Sequence, residues 1–457
     1  MATRLHVVGI ALVVLALSVS ARGDFLYTDD FTAPDGTPVE TYGGYTRTGG
    51  GSPNVTAEIL GGRLRLHSST TTGQNGVTSD ALMTWGAGSF VKANVWYSWP
   101  TGGGIDNGFV KLGGNIAFRA SGNRVGFWDS SWNTGGSDQV SANNPDGRHI
   151  AVLYVGGSGD GRTAHVFVDK QYNVSFTDDL DNTGQQVGAT GNAAHMRIQT
   201  GKNNSSVYAE YDNLAAFQLT NNGAGAAAAY KAERPLAFSE TFGGGAVGTW
   251  TLSESTPGRF AVSTGDAVRL SVADASGTPW ARYTLDLGDF VDFGGGLGVG
   301  DYLQIDLKRE QASGYIGVWT DLMNSNVRLS GAASGPLGIW GDRFGTDQGS
   351  TWNTISPAGV SFDISDWVTL GMRLDYADGE IAVMSYYIDD EYAGSWLFDT
   401  DMTRFTQFAL FGQTDQNNSG FLFDNLEIYA QTPEPASLGL LLLGAAGIGR
   451  YVRRRRE

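Results

Sequence analysis

The chain has 457 residues, contains no cysteine and carries a formal net charge of −17. Its length allows two or three domains, and the lack of cysteine excludes a disulfide framework and a thiolate metal site. An acidic surface repels phosphate backbones, so we expect no nucleic-acid partner. The 66 glycines and 12 tryptophans, with few long helical patterns, predict many short strands joined by tight turns.

The first 21 residues have the pattern of a signal peptide. Arg4 supplies a short basic region, an apolar run follows from Leu5 to Val19, and small residues lead up to Ala21. We predict a signal helix, residues 1–21, that signal peptidase removes after Ala21. A retained membrane anchor is the alternative, for which the apolar run is short.

The middle of the chain repeats itself at a long interval. Tyr27–Phe31 opens the first copy, and Phe238–Phe242 opens the second. Asp-Asn-Leu closes both copies, at Asp212–Leu214 and Asp424–Leu426, after nearly equal intervals. The interval is far too long for a solenoid repeat, so we predict a duplicated domain. Its copies are residues 24–219 and 236–430, and residues 220–235 are predicted to form an exposed linker of small and polar residues.

Each copy contains a pair of dense apolar runs around a short turn. In the first copy these are 150–155 and 166–168, and in the second 367–376 and 381–388. Such pairs predict β-hairpins, and about twelve short strands per copy favour a two-sheet sandwich. Strands that end in Val168-Asp169 or Ile388-Asp389, and the closing Asp-Asn-Leu, resemble the laminin-G-like, concanavalin-A-like jelly roll. The resemblance implies an all-β fold of two tandem jelly-roll sandwiches. A sandwich of another topology is the alternative.

The distribution of catalytic residue types argues against an enzyme. The second copy contains no histidine, so a function shared by both copies uses no imidazole. A glycoside hydrolase is the enzymatic alternative and needs two carboxylates. Laminarinase-like hydrolases of the jelly-roll fold carry Glu-x-Asp-x-x-Glu on one strand. The segment from Glu210 to Ala215 lacks the last acid of this pattern, and the segment from Leu422 to Glu427 lacks the first.

Four acids are candidates for a metal site, because strand alternation predicts them on core-facing sides. Asp29 and Asp212 belong to the first copy, and Glu240 and Asp424 to the second. If the first and last strands of each copy lie together, as in a jelly roll, the two acids of a copy approach each other. Paired carboxylates need a shared proton or a cation, and calcium prefers oxygen ligands. The alternative is that each acid accepts a hydrogen bond from a turn backbone.

Repeated tryptophans predict a glycan-binding site. Trp132-Asn133 and Trp352-Asn353 occupy corresponding positions in the two copies, among Gly, Ser and Asn residues. Sugar rings stack on aromatic faces, and the asparagines can add hydrogen bonds. The preceding Trp128 and Trp340 follow apolar residues and are interpreted as core tryptophans.

The C-terminal segment, residues 432–457, combines three units. Pro433, Glu434 and Pro435 form a stiff exposed stretch, and an apolar run from Leu438 to Ile448 follows. A basic cluster ends the chain: Arg450, Arg453, Arg454, Arg455 and Arg456. This order resembles the PEP-CTERM sorting tail of bacterial proteins that an exosortase processes. The resemblance implies export, transient anchoring in the inner membrane by a single transmembrane helix, and delivery to the cell surface or an exopolysaccharide matrix. The arginines are expected to stop the helix on the cytoplasmic side.

Together these features predict an exported, non-enzymatic protein of the cell surface or extracellular matrix. We expect adhesion or glycan binding by tandem lectin-like sandwiches, with extracellular polysaccharide as the partner. A purely structural envelope protein without a ligand is the first alternative, and a glycoside hydrolase is the second.

Overall fold

The chain divides into two compact units between Asn222 and Gly223, inside the segment that the sequence assigns to a linker. The structure, a computed structural model, describes residues 25–48, 55–68, 75–84, 87–98, 106–108, 110–111, 115–119, 124–129, 131–134, 144–156, 163–177, 193–200, 207–219, 225–243, 250–289, 296–310, 314–322, 325–329, 337–341, 351–354, 362–414, 417 and 419–431. The predicted signal peptide (1–21) and sorting tail (432–457) lie outside these residues.

The described part of the first unit consists of strands and one short helix, α1 (Val39–Tyr42). The strands are β1 (Phe25–Asp29), β2 (Thr37–Pro38), β3 (Tyr45–Thr48), β4 (Val55–Ile59), β5 (Leu64–Ser68), β6 (Asn75–Thr84), β7 (Phe90–Ser98), β8 (Asp106–Gly108), β9 (Val110–Lys111), β10 (Asn115–Arg119), β11 (Arg124–Asp129), β12 (Ser131–Thr134), β13 (Asn144–Gly156), β14 (Thr163–Val168), β15 (Gln171–Thr177), β16 (Ala193–Thr200) and β17 (Val207–Gln218).

The second unit begins with helix α2 (Ala226–Glu233) and continues with strands and a 3₁₀ turn (Leu287–Asp289). Its strands are β18 (Leu236–Glu240), β19 (Trp250–Glu254), β20 (Phe260–Thr264), β21 (Val268–Val272), β22 (Trp280–Asp286), β23 (Tyr302–Arg309), β24 (Tyr315–Thr320), β25 (Ser325–Leu329), β26 (Leu337–Gly341), β27 (Thr351–Thr354), β28 (Val368–Ala377), β29 (Ile381–Ile388), β30 (Glu391–Asp399), β31 (Gln407–Gln413) and β32 (Gly420–Tyr429). For β8 to β12, β26 and β27, the description is of the backbone.

In the first unit two antiparallel sheets enclose the core. One has the strand order β15-β14-β13-β7-β17-β5-β4-β2, with β1 also paired to β17, and the other has the order β3-β6-β16-β9. Tyr45, Val77 and Ile198 of the second sheet lie in one buried cluster with Leu66 and Val95 of the first. A further sheet has the order β12-β11-β10-β8. Burial of the two facing surfaces against each other is the arrangement of a β-sandwich.

The second unit also contains two antiparallel sheets. Their orders are β20-β21-β32-β23-β28-β29-β30, with β18 on β32, and β19-β22-β31-β24-β25-β26-β27. The sheets meet at Gly412 in β31, where a Cβ atom would lie 2.4 Å from Cδ2 of Phe421 in β32. The ring of Phe421 therefore fills the space that the glycine leaves. The described chain is thus mostly β, and its sheets are consistent with β-sandwiches.

Positive φ angles recur at corresponding positions of the two units. The pairs are Phe31 (50°) and Phe242 (57°), Asp169 (49°) and Asp389 (49°), Lys170 (69°) and Asp390 (68°), and Asn213 (49°) and Asn425 (50°). Residues with a Cβ rarely adopt this conformation outside specific turns and bulges. Four such pairs in the same order support two copies of one fold.

Helix α2 occupies part of the segment predicted to be an exposed linker. Ala226, Ala227 and Tyr230 of this helix are buried, so the segment is only partly exposed. The Tyr230 ring lies 5.7 Å from that of Tyr387, and the Arg373 guanidinium carbon lies 4.0 Å from the centre of the Tyr230 ring. The helix therefore packs on the outer face of β28 and β29. Among the described residues, no helix has the length and apolar character that crossing a bilayer requires.

Candidate functional site

Asp29 and Glu240 stabilise equivalent turns in the two units. Asp29 Oδ1 accepts a hydrogen bond from the Phe31 N–H at 2.8 Å, and Glu240 Oε1 accepts one from the Phe242 N–H at 2.7 Å. The hydroxyl of Tyr42 also donates to Asp29 Oδ1, at 2.5 Å. Each bond holds a phenylalanine at positive φ with its ring fully buried. Asp29 and Glu240 therefore accept hydrogen bonds from turn backbones, which is the alternative to a metal site that the sequence left open.

Asp212 lies on a different face of its strand from the one expected. Tyr211 and Leu214 are both in the buried core, although regular alternation would place Tyr211 and Leu214 on opposite faces. The register of β17 against β7 shifts between Asp212 and Ala215, and Asn213 there has φ of 49°. This β-bulge adds one residue to the strand, so the expectation that Asp212 shares a face with Leu214 is wrong.

The same bulge occurs at Asp424 in the second unit. Phe423 and Leu426 are fully buried, and Asp424 Oδ1 accepts a hydrogen bond of 2.8 Å from the N–H of Asn425. Partial burial raises the pKa of Asp424; the adjacent Asp306 adds to the rise, and the Asn425 N–H opposes it. Asp424 and Asp306 are register partners on the outer face.

The four acids do not fit a calcium site of the predicted kind. Asp29 is paired with the core residue Leu214, whereas Asp212 lies on the outer face. Glu240 is likewise paired with buried Leu426, on the opposite face from Asp424. Within the part of the chain that the structure describes, no group of three or more His, Asp or Glu residues is arranged to hold a metal ion.

Glu210, the acid nearest to a hydrolase pattern, forms ion pairs. Its Oε2 lies 3.2 Å from Arg63 Nη1, and its Oε1 lies 3.7 Å from Arg65 Nε. The guanidinium carbon of Arg63 also lies 3.6 Å from the centre of the Trp96 ring. Glu210 therefore has a structural role on the outer face of β17, where it is ion-paired with Arg65 of β5 and with Arg63 of the turn before β5.

A row of residues that crosses the second unit's seven-stranded sheet contains three tryptophans. Trp319 of β24 is paired with Asn326 of β25, Asn326 with Trp340 of β26, and Trp340 with Trp352 of β27. Directly paired residues lie on the same face of an antiparallel sheet. The register therefore brings Trp352 together with Trp340 and Trp319, at the edge of the sheet that β27 forms.

The neighbouring row lies on the core-facing side and contains Asn353. Val318 is paired with Val327, Val327 with Ile339, and Ile339 with Asn353. Val318 and Val327 are both fully buried. The structure therefore places Asn353 on the opposite face from Trp352, and Trp340 on the face opposite the core row.

The first unit repeats the tryptophan row. Asn115 is paired with Trp128, and Trp128 with Trp132. Asn133 is paired with Phe127, in the row that alternates with the tryptophans. Trp132 and Asn133 are thus on opposite faces, as in the second unit. We call the two rows, Asn115–Trp128–Trp132 and Asn326–Trp340–Trp352, the Asn–Trp–Trp rows.

An arginine lies between aromatic rings beside the Asn–Trp–Trp row of the second unit. The Arg282 guanidinium carbon is 4.7 Å from the centre of the Trp319 ring and 5.0 Å from that of Trp280. Arg282 is paired in register with Phe411, which is 1% exposed although it points away from the core. Cation–π contacts of this kind hold the arginine in one orientation. Arg282 is therefore held between two aromatic rings on the face opposite the core, and Phe411 beside it is covered.

Local sequence patterns did not identify Asn115 and Asn326 as members of the Asn–Trp–Trp rows, or Trp319 as the neighbour of Asn326. The register between distant strands brings them together, and no local pattern reports that register. One signal was available for the asparagines, since Asn115 and Asn326 precede Trp128 and Trp340 by almost the same interval.

The comparisons with known proteins identify the C-terminal segment. Residues 431–456 match the PEP-CTERM protein-sorting motif. The prediction from the Pro433-Glu434-Pro435 stretch, the apolar run and the terminal arginines is therefore confirmed. The chain carries the sorting signal of an exported protein, and this supports an exosortase substrate. No curated protein matches the sequence.

Several solved structures are similar to parts of the chain. One comes from work on the endo-acting O-glycanases with which members of the human gut microbiota initiate mucin breakdown. Its sequence identity is 11% and its TM-score is 0.32, and the match covers 43% of this chain and 99% of that one. The Emp47p carbohydrate recognition domain has 13% identity and a TM-score of 0.24, covering 40% and 90%. The Ca²⁺-bound exoplasmic/lumenal domain of VIP36 has 9% identity and a TM-score of 0.26, covering 40% and 84%. Likeness at this level identifies no activity for this chain.

Proposed function

We propose that the protein is an exported, non-enzymatic glycan-binding protein that acts by adhesion at the cell surface or in an extracellular polysaccharide matrix. Its two units are tandem jelly-roll sandwiches, each with a binding face on the sheet that contains its Asn–Trp–Trp row. The sorting motif at residues 431–456 supports export. In the proposed route, signal peptidase removes residues 1–21, and the apolar run 438–448 holds the chain in the inner membrane until exosortase cleaves near Glu434.

The observation that carries the binding proposal is the repetition of the Asn–Trp–Trp row. Many combinations of apolar residues can fill a core, so packing alone does not require both units to have the same three residue types in the same register. Aromatic faces supply stacking area for sugar rings, and asparagine supplies both a donor and an acceptor. Two such sites on one chain gain affinity by avidity for a repeating polymer.

Two observations support binding without catalysis. Glycoside hydrolysis needs one carboxyl group with a raised pKa close to a second carboxylate. Glu210 is instead ion-paired with Arg63 and Arg65. Asp424 and its register partner Asp306 lie in the other sheet from the tryptophan row, and the Asp306 oxygens accept hydrogen bonds from Thr369 and Asn425. Calcium is not part of the proposal, because the candidate acids face opposite sides of their sheets.

A glycan array with the full-length protein tests the proposal. We expect binding to one or more linear polysaccharides, and Trp352→Ala together with Trp132→Ala should weaken it at least about tenfold. The matched control is Trp367→Ala, since Trp367 is 43% exposed and lies outside both rows. An array without any binding would favour the structural envelope protein, and release of reducing sugar from a polysaccharide would establish the hydrolase. Both results would contradict the proposal.

Mass spectrometry of the exported protein tests the sorting route. We expect a C-terminus near Pro433-Glu434-Pro435 and an N-terminus after Ala21. Full-length protein in the cytoplasm with both ends intact would contradict the route.

A further inference from the structure

The second unit holds the first residue of the matched sorting motif. The N–H of Gln431 donates a hydrogen bond of 3.1 Å to Asp301 Oδ1, and the side-chain oxygen of Gln431 accepts one of 2.9 Å from Arg234 Nη1. Asp301 is fixed in turn, because its Oδ2 accepts a hydrogen bond of 2.8 Å from the Gly298 N–H. Gln431 is thus bound through both its main chain and its side chain. We call Asp301, Arg234 and Gln431 the tail clamp.

Gly300 leaves room for the arginine of the tail clamp. A Cβ atom at position 300 would lie 2.4 Å from Arg234 Nη2, and φ of Gly300 is 86°. The N–H of Gly300 donates a hydrogen bond of 2.7 Å to the carbonyl oxygen of Leu374 in β28. The turn that carries Asp301 is therefore fixed on the sheet, and Arg234 crosses it where no side chain is in the way.

The first unit has other residues at the positions of the tail clamp. Alignment of the closing strands β17 and β32 by their positive-φ asparagines places Leu219 at the position of Gln431. The pairing of these strands with β7 and β23 places Ser89 at the position of Asp301. Leu219 is 2% exposed and has no side-chain amide. The fold itself therefore does not require a clamp, which belongs to the copy that the sorting motif follows.

The tail clamp leaves a short stretch of chain for processing. The proposed cleavage near Glu434 is three residues beyond Gln431, and the preceding Ala430 is 1% exposed. Three extended residues span at most about 11 Å, and the seven from Gln431 to the start of the apolar run at Leu438 span at most about 25 Å. A cleft that recognises an extended peptide along its main chain needs several residues on each side of the bond that is cut. The clamp therefore keeps the residues on the N-terminal side of that bond bound to the second unit.

We propose that Asp301 and Arg234 are positioning residues for the processing of the tail. Exosortase engages the motif only after the tail clamp has opened, so the second unit sets the rate at which the protein leaves the membrane. This inference rests on the proposed sorting route. Opening breaks the two hydrogen bonds of Gln431 and lets the end of β32 separate from β23. A typical hydrogen bond shifts an equilibrium by about fivefold, so the loss of one bond should raise the open fraction by about that factor.

The test follows the full-length protein in cells that contain an exosortase. Pulse-labelled protein is sampled over time, and mass spectrometry measures the fraction that has lost the residues after the cleavage point. Asp301→Ala and Arg234→Met should each be processed about fivefold faster than the wild type. Gln431→Glu should be processed at the wild-type rate or more slowly, because glutamate keeps the N–H and offers Arg234 a carboxylate.

Two controls separate the tail clamp from general destabilisation. Gly412→Ala weakens the packing of the second unit without changing the clamp, and Arg47→Met removes the ion pair of Arg47 with Glu40 in the first unit. Both should be processed at the wild-type rate. Clamp variants that are processed no faster than the wild type, or an equal acceleration in Gly412→Ala, would overturn the clamp while the sorting route stands. If the wild type keeps its tail in a cell whose exosortase processes another substrate, the sorting route itself is overturned.

Discussion

The contact between the sheets of the second unit predicts the effect of one methyl group. A Cβ atom at position 412 would lie 2.4 Å from Cδ2, 2.9 Å from Cε2 and 3.0 Å from Cγ of Phe421. Favourable carbon–carbon contacts are about 3.5–4.0 Å, so Gly412→Ala displaces the ring by about 1 Å. Phe421 is fully buried and has little room to move. Overpacking of this kind costs about 1–3 kcal/mol, and we expect Gly412→Ala to lower the free energy of unfolding of the second unit by about 2 kcal/mol.

Hydrogen-exchange mass spectrometry measures this effect in the second unit alone, through peptides of β31 and β32. Gly265→Ala is the control, because a Cβ atom there has no neighbour within 4 Å and φ is not positive. The control should leave stability within about 0.5 kcal/mol or raise it slightly. If Gly412→Ala leaves the exchange of β31 and β32 unchanged, the two sheets do not pack at this contact and the sandwich is wrong.

Three further predictions concern pH, the helix and the bulge. Burial lowers the pKa of His165 to about 4, so as the pH falls the unfolded chain binds this proton before the folded chain does, and acid destabilises the fold. The free energy of unfolding should fall by about 2 kcal/mol from pH 8 to pH 5. His165→Gln should remove that part of the pH dependence, measured by urea unfolding. Tyr230→Ala should speed amide exchange in helix α2, since truncating a buried aromatic costs about 3 kcal/mol; unchanged exchange would refute the packing. Asn213→Val should cost about 1–2 kcal/mol because φ is positive there, whereas Asn213→Gly should be nearly neutral; equal melting temperatures for the two variants would refute the bulge.

Local patterns predicted much of the secondary structure. The apolar runs around Gly156 and Ala377 are the hairpins β13–β14 and β28–β29, because strand alternation and turn residues are signals that a short window contains. The sorting tail was recognisable for the same reason, since its three units are contiguous.

Features that depend on distant contacts were not predictable. Asparagine adopts positive φ more readily than most residues, but Asn213 and Asn425 alone do not specify a bulge, and the bulge at each one moves Asp212 and Asp424 to the outer face. Helix α2 has no obvious apolar face, and its burial depends on the contact of Tyr230 with strands far along the chain.

The candidate site was predicted only in part. Trp132 and Trp352 were identified because each copy repeats a Trp-Asn-Thr sequence. Strand alternation places Asn133 and Asn353 on the opposite face from these tryptophans, so each predicted Trp–Asn pair does not share one face. Trp319 joins the row only through three cross-strand registers, which sequence periodicity does not specify.

Footprinting of the tryptophans with bound polysaccharide tests the central claim most directly. The full-length protein is oxidised by hydroxyl radicals with and without its glycan, and mass spectrometry measures the modification of each tryptophan. We predict protection at Trp132, Trp340 and Trp352, and no change at Trp367, which is exposed and lies outside both rows. Binding that protects none of the Asn–Trp–Trp rows would contradict the assignment of these sheet faces as the binding surface.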